Sequence, residues 1–164
     1  MTRGIQKVTT AIGDFFLEWD GACLQRVGLP GQILAGDPVR GDASAAKLLQ
    51  RYASGGEVDP AQLPLQLADT ELTPFQRRVL QALRKVRRGK TVTYAQLAAR
   101  AGSPQAARAV GQVMRMNPWP LIVPCHRVLA SGGGLGGYSG PRGTKFKQQL
   151  LGIEGVVVQA PGAC

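Results

Sequence analysis

The chain lacks a long apolar segment and has few cysteines and aromatic residues. None of its hydrophobic runs approaches the roughly 18 residues that a membrane-spanning helix needs, and residues 1–13 lack the apolar stretch of a secretion signal. Three cysteines, an odd number, argue against a disulfide framework and indicate a reducing compartment. These absences exclude a membrane-spanning or disulfide-stabilised secreted protein, and we expect a cytoplasmic one.

Acidic residues are almost missing from the second half of the chain. Residues 72–164 carry 14 of the 20 Lys and Arg but a single acid, Glu154, whereas residues 1–71 carry nine acids. A solvated surface normally mixes signs, because charges of one sign repel each other, so this segregation indicates a polyanionic partner, most simply nucleic acid. The alternative is a basic face that only keeps the protein soluble.

With 164 residues, the chain is long enough for one domain or two small ones. Alternating hydrophobicity predicts two strands joined by an Asp20-Gly21 turn, and apolar residues three and four apart predict a helix. The strands are expected at residues 12–19 and 22–27, the helix at 43–53 and a last edge strand at 63–65. We therefore predict an N-terminal α/β domain, a small antiparallel sheet plus helix, over residues 1–68. The reversal of charge places a linker at residues 69–72 and a C-terminal domain at 73–164.

The C-terminal domain begins with two well-marked helix starts. Thr73 and Thr93 are each followed three residues later by Gln, the pattern of a capping box. The second of these helices ends at Gly102, and a further helix is predicted over residues 103–116. Two short helices joined by a tight glycine-containing turn are the helix-turn-helix signature. Together with the excess of cations, this pattern favours a mostly α-helical domain that binds DNA.

A cysteine and the only histidine of the chain follow a predicted buried strand at residues 121–123, in the sequence Pro124-Cys125-His126-Arg127-Val128. Neighbouring imidazole and cationic groups stabilise a thiolate and so turn a cysteine into a nucleophile. A buried structural cysteine is the alternative. A zinc site is disfavoured because it would have to combine residues without the usual paired spacing, namely Cys23, Cys125, His126 and Cys164.

This motif, preceded by Arg108-Ala109-Val110-Gly111 and Asn117-Pro118, resembles the O6-alkylguanine-DNA alkyltransferases, which move an alkyl group from guanine in DNA onto their own cysteine. The resemblance is strongest over residues 73–154. It implies a single-turnover, irreversible transfer from O6-alkylguanine, and from O4-alkylthymine, in double-stranded DNA. It also implies a monomer that can bind DNA cooperatively and needs no metal, cofactor or membrane. The zinc site of eukaryotic members is expected to be missing, because the N-terminal half has no histidine.

The resemblance assigns a role to each matching residue. Cys125 would accept the alkyl group, and His126 and Glu154 would form, through a water, the relay that removes its proton. Tyr94 would donate a proton to the guanine ring. Arg108 would enter from the minor groove and fill the space left by a flipped base.

Other positions carry supporting roles by the same resemblance. Further DNA contacts are expected at Ala107, Gly111, Thr93 and Arg115, and Asn117 would be a structural hinge. The substrate pocket would be lined by Tyr138, Ser139, Val128 and Met114. The stretch Pro141-Arg142-Gly143-Thr144 makes the segment after the pocket longer than the family pattern, which leaves its substrate preference open.

Two other classes of protein compete with this interpretation. A damage-binding relative without repair activity would lack the cysteine, whereas Cys125 is present. A cysteine hydrolase would need the Cys125 and His126 side chains to meet, but adjacent residues of an extended strand point to opposite sides. The alkyltransferase interpretation is therefore preferred.

Overall fold

The computed structural model describes residues 3–68, 71–138 and 140–158. No helix within these ranges combines the length and the apolar character needed to cross a membrane. In chain order the strands and helices are β1 Arg3–Thr10, β2 Gly13–Asp20, β3 Cys23–Gly28, α1 Ala43–Ala53, β4 Gln66–Leu67, α2 Pro74–Arg84, β5 Val92–Thr93, α3 Tyr94–Arg100, α4 Ala107–Met116, β6 Val128–Leu129 and α5 Gly143–Ile153.

The part of the chain before α2, here called the N-terminal half, is a four-stranded sheet in the order β1-β2-β3-β4 with α1 against β1. The first three strands are antiparallel, of which β2 and β3 lie within one residue of the two predicted strands, and α1 has the predicted bounds. The fold class is confirmed, but the sheet is mixed rather than wholly antiparallel because β4 runs parallel to β3. The last strand lies at 66–67 instead of 63–65, because the Leu63 carbonyl accepts from Arg84 Nη2 at 2.7 Å rather than from a strand.

β1 carries no strand prediction, and its burial shows why the pattern is hard to recognise. Val8 and Gln6 face the core, where Gln6 Oε1 accepts a hydrogen bond from Trp19 Nε1 at 2.8 Å. Ile5 lies on the other face but is buried as well, since its backbone pairs with Asp37 and Val39 of the long loop after β3. Burial on both faces removes the alternation of polar and apolar residues that identifies a strand.

The sheet and the helices share one hydrophobic core. Its buried residues include Phe15, Leu17 and Leu49 from the N-terminal half and Leu83 and Phe146 from the part that begins at α2, here called the C-terminal half. The indole Nε1 of Trp119 donates to the Leu24 carbonyl at 2.9 Å, and Val27 N donates to the Pro118 carbonyl at 2.8 Å. The two halves are therefore packed against each other. The domain boundary at 69–72 stays a prediction, and residues 69–70 lie outside the described ranges.

Both capping boxes form. The side chains of Thr73 and Thr93 accept hydrogen bonds from Gln76 N and Gln96 N, and each glutamine side chain bonds back to its threonine. The prediction of a helix from residue 103 is wrong at its start, because Ala106 N bonds to the Ser103 carbonyl in a tight turn and α4 begins at Ala107. α3 and α4 pack against each other and form the helix-turn-helix.

Residues 121–123 are buried but form a turn, so the predicted strand is wrong. Val123 N donates to the Trp119 carbonyl at 2.8 Å, and Leu121 has a positive φ of 77°. Asn117 fixes this turn with both ends of its amide. Its Nδ2 donates to the Val123 carbonyl at 2.8 Å, and its Oδ1 accepts from Trp119 N at 3.0 Å. The turn directs the chain from α4 to the cysteine.

Candidate functional site

A cleft of about 830 Å³ opens between α3, α4 and the segment around Cys125. Most of the predicted site residues meet in its wall. The lining consists of Tyr94, Ala107, Arg108, Gly111, Gln112, Met114, Arg115, Cys125, Gly137 and Tyr138. Helix packing thus brings together residues from four separate segments of the sequence.

Several predicted site residues lie elsewhere or outside the described ranges. Val128 is fully buried in β6, where it pairs with Val92, and it is not part of the cleft lining. Thr93 caps α3 and is also absent from the lining. Asn117 contributes, with Cys125, to a smaller neighbouring cavity of about 230 Å³. Ser139 lies outside the described residues.

Cys125 forms part of the cleft wall and is only 6% exposed. It begins a single turn of 3-10 helix, Cys125–Arg127, so the extended strand assumed for Cys125 and His126 is replaced by a turn. Burial raises the pKa of the Cys125 thiol, against the opposing influence of the Asn117 amide and the Lys147 ammonium group. The resting group is therefore a thiol, and it needs a base before it can act as a nucleophile.

His126 is fully buried, and its Nε2 lies 3.1 Å from Glu154 Oε1. An ionised carboxylate only accepts, so the imidazole carries its proton on Nε2 and leaves the Nδ1 lone pair as the basic site. Nδ1 makes no hydrogen bond to protein atoms of the described residues. Burial lowers the pKa of His126, against the influence of Glu154. A neutral imidazole of this kind can accept a proton.

Arg127 joins this group from the same turn and is also fully buried. Its Nε donates to both carboxylate oxygens of Glu154, at 3.0 and 3.1 Å, and its Nη2 contacts Glu154 Oε1 as well. Nη2 also binds Asp59 Oδ1 at 2.9 Å, and Nη1 donates to the Val86 carbonyl at 2.7 Å. Hydrogen bonds from His126 and Arg127 hold the pKa of Glu154 down at about 2, despite its burial.

The sequence analysis did not identify Arg127, Asp59 or Tyr52, whose hydroxyl lies 3.1 Å from Glu154 Oε1. A signal for Arg127 does exist, because a guanidinium inside an apolar stretch requires a carboxylate partner. Asp59 lies 68 residues from Arg127, and Tyr52 lies 102 residues from Glu154. A local sequence pattern therefore does not show that Asp59, among the acids, or Tyr52, among the tyrosines, is the partner.

Lys147 is a further buried cation that the sequence analysis did not identify. Its Nζ donates to the carbonyls of Val128 at 2.6 Å and Gly137 at 3.2 Å, and also to that of Leu135. Burial lowers its pKa to about 8. Lys147 therefore ties the glycine-rich loop before Tyr138 to the strand that follows the cysteine.

Tyr94 is the first residue of α3 and is half-buried in the cleft wall. Burial and the neighbouring Cys125 raise the pKa of its phenol. The glycine-rich loop passes close to this phenol at Gly136, whose φ is +66°. A Cβ at that position would lie 3.0 Å from the Tyr94 hydroxyl, so a side chain there would meet backbone strain and would press against the phenol.

α4 presents the opposite wall of the cleft. Arg108 is exposed and, within the described ranges, has no hydrogen bond or ion pair to another residue, and Arg115 is exposed about two turns further along the same face of the helix. Gly111 lies between them, and a Cβ added to it would meet nothing within 4 Å. The exposed face of α4 therefore carries two cations, Arg108 and Arg115, and no side chain at Gly111 between them.

In the described part of the chain, no cluster of three or more His, Cys, Asp or Glu side chains could hold a metal ion. Cys23 and Cys125 are both free thiols.

Comparison with known proteins gives a consistent set of similarities. Residues 74–156 match the family described as 6-O-methylguanine DNA methyltransferase, DNA binding domain. The chain is 45% identical over 112 residues to the constitutive methylated-DNA--protein-cysteine methyltransferase of Bacillus subtilis, which is 68% of this chain and 65% of that relative. It is 53% identical over 91 residues to the methylated-DNA--protein-cysteine methyltransferase of Cricetulus griseus, 55% of this chain and 43% of the relative. These matches span less than two thirds of either curated relative.

Solved structures match over a greater length. The Mycobacterium tuberculosis OGT in complex with DNA superposes with a TM-score of 0.79 at 35% identity, and the match covers 92% of this chain and 91% of that one. The similarity of the fold and the family match over residues 74–156 therefore point to the same group of proteins.

Proposed function

Because the chain belongs to the 6-O-methylguanine DNA methyltransferase family, we propose that it repairs DNA by moving an alkyl group from O6 of guanine to Cys125. The observation that supports this most directly is the position of the thiol. Cys125 lies in a cleft walled by the second helix of a helix-turn-helix, and a buried base and carboxylate stand behind it.

The proposed reaction begins with loss of the thiol proton. Cys125 passes it through a water to Nδ1 of His126, and Glu154 stabilises the imidazolium through its contact with Nε2. The raised pKa of the thiol makes this step necessary, and the lowered pKa of His126 keeps the base neutral beforehand.

Transfer then exchanges one bond for another. Sγ of Cys125 forms a bond to the alkyl carbon while the bond from that carbon to O6 breaks, and the electron pair stays on the guanine. Tyr94 donates a proton to the guanine ring, so that the base leaves neutral, and its phenolate regains a proton from solvent. The product thioether has no proton to lose and no easy leaving path, so the protein acts once.

We propose that double-stranded DNA binds across α4 and that the damaged nucleotide is flipped into the cleft, because the thiol cannot enter the base stack. Arg108 fills the vacated space from the minor groove, and Arg115 and Thr93 contact the duplex beside it. Ala107 carries only a methyl group and Gly111 has no side chain, which allows close approach of the helix.

The base pocket is proposed at Tyr138, Met114 and Ser139, with O4-alkylthymine as a second substrate. Val128 supports this pocket from the buried side, because its carbonyl anchors Lys147. Asn117 acts as the hinge that fixes the turn between α4 and Cys125. We propose that the protein works as a monomer without metal or cofactor and can bind cooperatively along DNA. The cytoplasmic location stays a prediction.

The test is incubation of the protein with duplex DNA containing O6-methylguanine, followed by intact-protein and peptide mass spectrometry. We expect one added methyl group per molecule, located on Cys125, and no repair beyond one equivalent. Cys125→Ala is the control, and it should bind the duplex without acquiring a methyl group. Repair in catalytic excess, or a methyl group on Cys23, would contradict the proposal.

A further inference from the structure

The hydroxyl of Tyr52 reaches the acid behind the cleft from the N-terminal half. Tyr52 is in α1 and fully buried, and its Oη lies 3.1 Å from Glu154 Oε1. The Leu150 carbonyl is the other acceptor near the same hydroxyl, at 3.4 Å. A phenol has one proton, and a carboxylate accepts more strongly than a neutral carbonyl, so Tyr52 donates to Glu154.

Tyr52 and His126 bind the same carboxylate oxygen. Glu154 Oε1 accepts from Tyr52 and from His126 Nε2 at 3.1 Å each, and from Arg127. Every donor to Oε1 withdraws part of its negative charge, so less remains to stabilise a proton on the imidazole. The Tyr52 hydroxyl therefore competes with His126 for this oxygen.

Arg127, not Tyr52, holds the carboxylate in place. Its Nε bonds to both Glu154 oxygens, and Asp59 in turn binds its Nη2 at 2.9 Å. Removal of the Tyr52 hydroxyl thus leaves the carboxylate where it is and changes only the charge available at Oε1.

A base that accepts the thiol proton must be neutral before the reaction. Burial lowers the pKa of His126, and the contact with Glu154 opposes this by raising it. We propose that Tyr52 is a positioning residue that acts through Glu154 and, together with burial, favours the neutral form of His126 in the resting protein. The effect of Tyr52 on the rate of alkyl transfer rests on the proposed function. Its effect on the protonation of His126 does not depend on that function.

The titratable and charged groups that face His126 or its carboxylate partner come from every element packed around them. They are Glu154, Arg127, Lys147 and Tyr52, with Asp59 behind Arg127 and Arg88 beside Tyr52. A Tyr52→Phe substitution removes only the phenolic hydroxyl and leaves the other charged and titratable groups unchanged.

The first experiment uses the fact that the chain has one histidine. Protein without a histidine tag is labelled with ¹⁵N-histidine, and the imidazole is titrated by NMR in the wild type and in Tyr52→Phe. We expect the pKa of His126 to rise by about half a unit in the variant, since one unit corresponds to only about 1.4 kcal/mol of differential interaction. An unchanged or lowered pKa would overturn the proposal.

Gln50→Ala is the matched control, because it removes one side-chain hydrogen bond from the same helix, that of Gln50 Nε2 to the Thr9 carbonyl at 3.2 Å. It should leave the imidazole titration unchanged. Melting temperatures of all three proteins are measured first, and the titrations are run where each is fully folded.

The second experiment measures single-turnover transfer from O6-methylguanine DNA between pH 6 and 8.5. With a higher pKa, more of His126 is already protonated on the acid side, so Tyr52→Phe should be slower there, by at most about threefold for a half-unit rise, and equal to the wild type on the alkaline side. A loss that is uniform with pH indicates a merely structural role and overturns the proposal. If the wild type itself transfers nothing, the proposed function fails, while the imidazole titration still decides the role of Tyr52.

Discussion

The carboxylates of Asp59 and Glu154 bind one and the same guanidinium, that of Arg127. Asp59 belongs to the N-terminal half, and Glu154 follows α5 at the far end of the C-terminal half. The cation between them has no exposure to solvent. The N-terminal half therefore helps to build the acid side of a site whose thiol and cleft-lining helix α4 come from the other half.

Asp59→Asn should lower the free energy of unfolding by about 1.5–3 kcal/mol, because hydrogen bonds to buried charged groups are of that size. Urea denaturation measures it. Asp14→Asn is the control, since Asp14 pairs with Lys7 at 3.4 Å on the exposed surface, where ion pairs are worth about 0–1 kcal/mol. Equally small losses for both variants would show that Arg127 does not depend on Asp59.

Stability should fall with acid through Glu154. Its pKa is about 2 in the folded protein, against an ordinary value of 4.5. A depressed carboxyl pKa contributes stability that is complete above the unfolded value and is lost as pH falls toward the folded one. Melting temperatures between pH 6 and 3 should therefore decline less steeply in Glu154→Gln than in the wild type. Parallel curves would contradict the depressed pKa.

Arg108→Ala should slow the repair of duplex DNA strongly yet barely change the reaction with free O6-benzylguanine. Base extrusion costs a few kcal/mol, and a side chain that fills the gap offsets part of that cost, whereas a free base needs no extrusion. Arg108→Lys should recover only part of the rate, because lysine lacks the planar guanidinium. Lys90→Ala is the control for charge alone. Equal losses on both substrates would mean that Arg108 supports the pocket rather than base flipping.

Gly111→Ala should stabilise the protein and weaken DNA binding. A helical glycine costs about 0.5–1 kcal/mol relative to alanine, and the added Cβ has open space in the cleft wall. Gly152→Ala is the matched control, because Gly152 is also helical with nothing within 4 Å of the added Cβ. Both variants should melt at higher temperature, and only Gly111→Ala should lose affinity for duplex DNA. Unchanged affinity in both would place the duplex away from Gly111.

Local signals predict local structure well in this chain. Thr73 and Thr93 begin helices as predicted, because a capping box depends only on residues three apart. Ser103 also resembles a helix start, but its carbonyl closes a separate turn and α4 begins four residues later, where the apolar face of Val110 can pack. β1 was not predicted because Gln6 and Ile5 are both buried.

The residues of the site likewise differ in whether the sequence alone identifies them. Cys125, His126 and Glu154 are recognisable from the sequence, and the structure brings His126 and Glu154 into contact. Tyr52 and Asp59 are not recognisable, since their roles arise only when α1 and the loop after it pack against the end of α5. Long-range contacts of buried polar groups carry no local signature, and the sequence alone does not identify them.

The short parallel pairing of β5 with β6 joins Val92 to Val128 and Thr93 to Leu129. Tyr94 follows one strand directly, and the turn that begins at Cys125 precedes the other. The proposed proton donor and the thiol therefore share a common mechanical frame of backbone hydrogen bonds, to which α4 does not belong. Backbone pairing, and not side-chain packing alone, thus sets where Tyr94 lies relative to the turn that holds Cys125.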